Sequence, residues 1–297
     1  MEDIDKWRKA GKIAAGVLEY GRKLIVKGAS YKDVTEKIES KIKELGAEPA
    51  FPPQMSLNEV AAHFTVDPDE DIIFEDQIVC LDIGVHIDGC IGDTACTVDL
   101  SGKNEKLVEA SRMALEMAIK TIQSGELRLS AIGKSIQTTI ENMGFVPIRN
   151  LGGHGLGVYE VHTPPTIPNY DTEGDEELKK DSVFAIEPFA TTGAGMIHET
   201  EHANIFSFVE KKPVRSQTTR LVLKEIEKYN DLPFTTRWLA KKFPLFKVNF
   251  ALKELIAVGS IRKYAPLPDK NKGLVSQAEH SFYLDKDGKL EILTKLD

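Results

Sequence analysis

The stretch IVCLDIGVHIDGCIGDTACTVDL, residues 78–100, constrains the fold more than any other part of this 297-residue chain. Asp88-Gly89 is a two-residue hairpin turn, because both residue types accept the positive φ that a tight turn with native strand twist demands. Opposing Ile87 to Cys90 sets the register and puts Gly84 across from Asp93. Asp82, two residues from Gly84, then shares a face with Asp93, and the two carboxylates become diagonal neighbours roughly 5–8 Å apart. Leu81, Ile83, Val85 and Ile87 fill the other face, which is the core side, while Gly84 and Ala95 leave space around the acids. Taken alone, the hairpin leaves two readings open: a solvated polar face, or a pair of carboxylates held together for chemistry.

Helical spacing of apolar residues runs from Ile4 to Ile25, and Ser30 then stands as the N-cap of YKDVTEKIESKIKELG, which ends at Gly46. A similar helix pair recurs from Lys103 to Met143. Its second member matches the earlier one at an offset of 98, setting Val34 with Ile132, Ile38 with Ile136, Ile42 with Ile140 and Gly46 with Gly144. This is the mark of an internal duplication or simply the common form of amphipathic helices that end in glycine. Strand-like stretches lie at Gln77–Leu100, Ser182–Val209 and Gly273–Leu293, with Asp287-Gly288 a further turn, so helix pairs alternate with antiparallel strands in an α+β fold.

Charge divides the chain. Residues 211–272 hold fifteen Lys/Arg and five Asp/Glu, a balance of +10 within a total of −8, which leaves −18 on the remainder. The total argues against bulk nucleic-acid binding. Helical patterns at 216–229, 235–243 and 247–257, followed by extended IRKYAPL, make the basic block a helical insertion with a winged-helix-like order of elements. No apolar run reaches the ~18–20 residues of a membrane span, and MEDIDKWRKAGK has no apolar signal core, so a cytoplasmic protein without membrane contact is expected. Cys80, Cys90 and Cys96, an odd count without CxxC spacing, read as small core residues.

NLGGHGLGVYEVHTPP packs four glycines around His154 and places His162 eight residues on; it lacks the pattern of a phosphate loop. Glu187 in VFAIEPF and Glu279 in LVSQAEHSFYL stand among apolar neighbours, where an ionised group needs a partner. Several carboxylates brought together would repel, whereas two divalent ions would neutralise Asp82, Asp93, Glu187 and Glu279, and oxygen ligands with one imidazole suit Mn, Fe, Co or Zn. Spacing alone does not bring the five groups together.

LDIGVHIDGCIGDTACT, NLGGHGLGVYEVHTPP, FAIEPF and SQAEHSFYL, in this order, resemble the type II methionine aminopeptidases of archaeal kind. The resemblance implies a pita-bread fold with two pseudo-symmetric α+β halves. It implies a dinuclear metal site on Asp82, Asp93, His154, Glu187 and Glu279, with His63 of EVAAHFT, His162 and Glu187 in catalytic roles. It implies a substrate pocket of Phe51, Pro52, Val161, Phe189 and Tyr264 with the two histidines; a further pocket histidine, near His198 or His202, does not align. The insertion points to type II, and the lack of a charged N-terminal extension to an archaeal source. The domains would be a catalytic one, 1–210 plus 273–297, and the insertion, 211–272.

The implied activity is release of N-terminal methionine before a small second residue, by metal-activated water. The implied partners are nascent polypeptide N-termini, with ribosome contact through the basic insertion, and a monomer is expected. The competing expectations are an X-Pro-specific relative, which would normally carry an added N-terminal domain, and a metal-free RNA- or protein-binding homologue, which would lack several of the five ligands.

Overall fold

The computed structural model of the protein describes residues 3–296. Helix α1 spans Ile4–Leu24. Ser30 holds an extended backbone and its hydroxyl accepts the Asp33 N–H at 3.1 Å, which starts α2, Tyr31–Glu44. The helix closes at Gly46, whose φ of 74° suits a residue without Cβ. Helices α3, Glu105–Gln123, and α4, Leu129–Asn142, repeat the arrangement. The bounds of α2 and α4, the left-handed Gly46 and Gly144, and the short strands Glu48–Pro49 and Val146–Pro147 all keep the offset of 98. Each short strand also pairs antiparallel with a longer partner, Pro49 with Val85 and Pro147 with Ala190. The common offset therefore covers helix, cap and strand, which a chance likeness of two helices does not explain.

Each half lays its helices on a sheet. In the first, Ala14, Val17, Ile38 and Ile42 pack with Leu81, Ile83 and Val85. In the second, Ala114, Ile132, Ile136 and Ile140 pack with Phe184, Ile186 and Phe282. Every strand pairing among the described residues is antiparallel, and the hairpin Ile78–Ile87/Cys90–Asp99 has the expected register, with Ile87 opposite Cys90, Gly84 opposite Asp93 and Asp82 opposite Ala95. The second half's five-stranded sheet runs in the order 290–292, 280–284, 182–186, 152–157, 160–168.

The glycine-rich segment forms a strand, Gly152–Gly157, shifted in register on both sides of Gly155 against Glu160–Pro168. Its glycines serve close approach, since a Cβ on Gly153 would run into the Ala185 carbonyl. The block 182–209 is not continuous sheet; only Ser182–Ile186, Phe189–Thr191 and Ile205–Phe208 are strands. Between them, side chains and the carbonyls of Pro266, Pro268 and Leu274 satisfy the backbone in place of a regular ladder. Buried Asp269 accepts the N–H groups of Ala194 and Gly195 at 3.0 and 3.1 Å, and Asn150 accepts from Ile197 N–H at 2.9 Å.

The basic block folds as α5, Gln217–Ile226, α6, Thr236–Ala240, and α7, Leu245–Val258, followed by the strand Ile261–Tyr264. That strand pairs with Ile205–Phe208, which also takes Phe234–Thr235 on its other edge. Phe206, Val222, Ile226, Phe234, Val248 and Leu255 form a separate apolar core there. No helix among the described residues is long and apolar enough to cross a membrane.

Candidate metal centre

The hairpin of the first half delivers Asp82 and Asp93 to one face, and that face is not solvated. The Oδ1 atoms of both are buried without a hydrogen-bond partner. Strand Gly152–Gly157 brings His154 alongside, with Nε2 3.9 Å from Asp93 Oδ2 and 3.6 Å from Glu187 Oε1. Glu187 follows the strand Ser182–Ile186, and Glu279 precedes the strand His280–Leu284, which pairs with it. Ligand atoms of Asp93, His154 and Glu279 lie within 4.8 Å of one another. Both Asp93 and Glu279 are only 2% exposed.

Burial pushes the Asp82 carboxyl up to about 7. Burial, and then repulsion among the acids, holds Asp93, Glu187 and Glu279 well above the usual carboxylate range. Orphaned buried oxygens on converging carboxylates are the arrangement that divalent cations satisfy, so the donor set fits metal binding. Around it, Gln277 donates from Nε2 to Glu187 Oε2 at 3.2 Å, and the His154 Nδ1 faces the Gly155 carbonyl at 3.1 Å.

All five groups open on a cavity of about 880 Å³. Its wall includes Phe51, Val161 and Phe189, each buried, together with His63, His162 and Tyr264. The ring centroids of His63 and His162 lie 5.3 and 6.4 Å from that of Tyr264, and His162 is 4.4 Å from His154. Burial lowers His63 to about 4. His162 is exposed to the cavity, but the protein packed around it, and then His154 and His63, depress its pKa well below normal. Both imidazoles are therefore neutral near pH ~7. Phe51 leans on Gly84, where a Cβ would overlap its ring.

Pro52, expected beside Phe51 in the pocket, is buried and is not among the residues that line the cavity. Neither His198 nor His202 reaches it, and His202 pairs at the surface with Asp67 at 2.8 Å. Sequence reading missed Gln277, Gln54 and Arg149. Gln277, two residues before Glu279, carried a period-two signal, whereas Gln54 acts through tertiary pairing, standing across from Asp82 and accepting the His63 N–H at 2.6 Å. Arg149 lines the cavity with its guanidinium over the Tyr170 ring, 5.4 Å from the centroid.

The profile of metallopeptidase family M24 matches residues 5–222. The chain belongs to that family. This M24 metallopeptidase is 43% identical over 288 residues to a methionine aminopeptidase of Pyrococcus abyssi, covering 96% of this chain and 97% of the relative. Its fold is similar to the crystal structure of methionine aminopeptidase from Thermotoga maritima, with TM-score 0.70, 26% identity and coverage of 99% and 97%. It is also similar to a thermophilic Arx1, with TM-score 0.85 and coverage of 99% and 91%, but at 16% identity that likeness shows the fold alone. The fold is the pita-bread fold, and the likeness to archaeal methionine aminopeptidases extends over nearly the whole chain.

Proposed function

We propose that this M24 metallopeptidase releases N-terminal methionine from polypeptides whose second residue is small. The observation that carries the reading is the convergence of four buried carboxylates and His154 on a cavity with an apolar wall, in a chain close to named methionine aminopeptidases. Asp82, Asp93, His154, Glu187 and Glu279 would hold two divalent ions, Mn, Fe, Co or Zn. Such ions, when bound, supply a water of lowered pKa and a Lewis acid. Glu187, steadied by Gln277, takes the proton of the attacking water and passes it to the leaving amine. Neutral His162 and His63 donate hydrogen bonds to the oxyanion as it develops. Phe51, Val161, Phe189 and Tyr264 enclose the unbranched thioether side chain.

Metal-loaded protein is expected to free Met from Met-Ala-Ser and to spare Ala-Pro peptides; cleavage of the X-Pro series without action on Met-Ala-Ser would overturn the assignment. The presence of all five ligands disfavours a metal-free binding role. The substrates would be nascent polypeptide N-termini, met in the cytoplasm by a monomer, with the basic block touching ribosomal RNA. Lys241 and Lys242 are poor probes of that contact, because they face Glu39 and Glu225. Lys247 and Lys253 have no carboxylate partner among the described residues, and their joint change to Glu should abolish salt-sensitive co-sedimentation with ribosomes. Negligible binding by the unaltered protein at low salt would remove the ribosome from the proposal.

A further inference from the structure

Glu39, on α2 of the first half, is 7% exposed, and Arg237, on α6 of the basic block, is 3% exposed. The guanidinium grips both carboxylate oxygens, with Nη1 donating to Oε2 at 3.1 Å and Nη2 to Oε1. Trp238 donates Nε1–H to the same carboxylate at 2.6 Å, and Lys241 approaches it at 3.4 Å. Burying two charges is costly, and an interior pair contributes little net stability against apolar residues of like volume. What it does supply is fixed geometry, since the guanidinium fork accepts a carboxylate in few orientations.

That geometry leads by a short path to the cavity. Arg237 follows two residues after Thr235, the register partner of Ile205, and Ile205 is in turn the register partner of Tyr264. Ile205, Tyr264 and Pro233 all line the cavity, and Tyr264 faces both His63 and His162. A second tie runs beside the first: Thr236 N–H donates to the Asn204 carbonyl at 3.0 Å, and Asn204 Nδ2 donates to the Thr65 carbonyl at 2.6 Å, two residues past His63.

We infer that Glu39 and Arg237 are positioning residues for the substrate cavity, setting Tyr264 and its strand against His63 and His162 although neither residue of the pair touches the site. The inference rests on the aminopeptidase reading for its kinetic consequence, but not for its structural one. Glu39→Gln keeps the shape of the side chain and removes its charge; Arg237→Lys keeps the charge and removes the fork.

In metal-loaded Glu39→Gln, KM for Met-Ala-Ser should rise about tenfold while kcat stays within about twofold, since binding geometry rather than water activation is disturbed. The same substitution in a Tyr264→Ala background should add less than about twofold, because the two residues act in one chain. Amide exchange in 205–208 and 261–264 should quicken in Glu39→Gln, and Trp238 fluorescence should shift. Arg237→Lys should show the same pattern, and decides the matter if Glu39→Gln does not fold. An unchanged KM, or effects of Glu39→Gln and Tyr264→Ala that multiply in full, would overturn the inference. If the unaltered protein releases no Met, the activity assignment falls. Exchange then decides: unchanged exchange in those strands overturns the positioning role, and faster exchange supports it.

Discussion

Ser281 and Asp93 are joined by hydrogen bonds in both directions: the Ser281 hydroxyl donates to the Asp93 carbonyl at 2.7 Å and accepts the Asp93 N–H at 2.9 Å. The first belongs to the second half of the molecule and the second to the hairpin of the first half. Two more bonds continue the seam, Glu279 N–H to the Ala95 carbonyl at 3.0 Å and Thr94 Oγ1 to the Glu279 carbonyl at 2.8 Å. The backbones that carry Asp93 and Glu279 are thus fixed to each other by the fold itself.

Ser281→Ala leaves two buried backbone groups of Asp93 without a partner, which costs about 1–3 kcal/mol for a lost buried bond. Urea unfolding of the metal-free protein should register that loss, and metal titration should show weaker binding. A variant equal to the parent in both measurements would contradict the role given to the seam.

Asp82→Asn preserves shape and removes a proposed ligand charge. Metal content and activity are expected to fall together, with the fold retained by circular dichroism. Two bound ions and full turnover in this variant would remove Asp82 from the ligand set.

His162→Ala should separate chemistry from metal binding. Turnover is expected to drop by ~10² or more, the usual loss on removing an oxyanion donor, with metal content intact. Loss of metal from this variant would show that the imidazole serves the ions instead.

Asp269 predicts a pH effect away from the cavity. Burial alone would raise its pKa, but N–H groups of Ala194, Asn271, Gly273 and Gly195 outweigh burial and hold it below the usual value. Its contribution to stability is present above the unfolded value of ~3.9 and is lost as pH falls through the lower folded value. Asp269→Asn should lower stability at neutral pH and flatten the acid limb of the stability curve. Unfolding by denaturant across that range checks this, and an unaltered acid limb would refute it.

The hairpin register was legible because the two-residue Asp88-Gly89 turn opposes Ile87 to Cys90 and so fixes every pair behind it. Helix ends were legible at Ser30, Gly46 and Gly144 for the same local reason, a cap or a left-handed residue. The proposed ligand set stood in the sequence as motifs and not as geometry: nothing in the spacing of His154 and Glu187 places their polar atoms 3.6 Å apart. Residues 192–204 misled because their backbone is held by side chains of Asp269 and Asn150 and by the carbonyls of Pro266, Pro268 and Leu274, all distant in sequence, in place of a regular ladder. Gln54 was invisible for the same reason, since its role depends on which strand lies beside Asp82.

Gly84 and Phe51 have a consequence for how specificity can change. The space left by the missing side chain is filled by an aromatic ring that lines the cavity, so the depth of the proposed methionine pocket is gauged by main chain. That main chain belongs to the strand carrying Asp82 and stands opposite Asp93. Ruler and ligand scaffold are one object. A methyl group at position 84 would drive the Phe51 ring away and shorten the measure, and any backbone shift that relieved the crowding would move the carboxylates with it. Selection for a different first residue would therefore find its easier routes through Val161 or Tyr264, which line the cavity from other strands, than through the strand that serves both purposes.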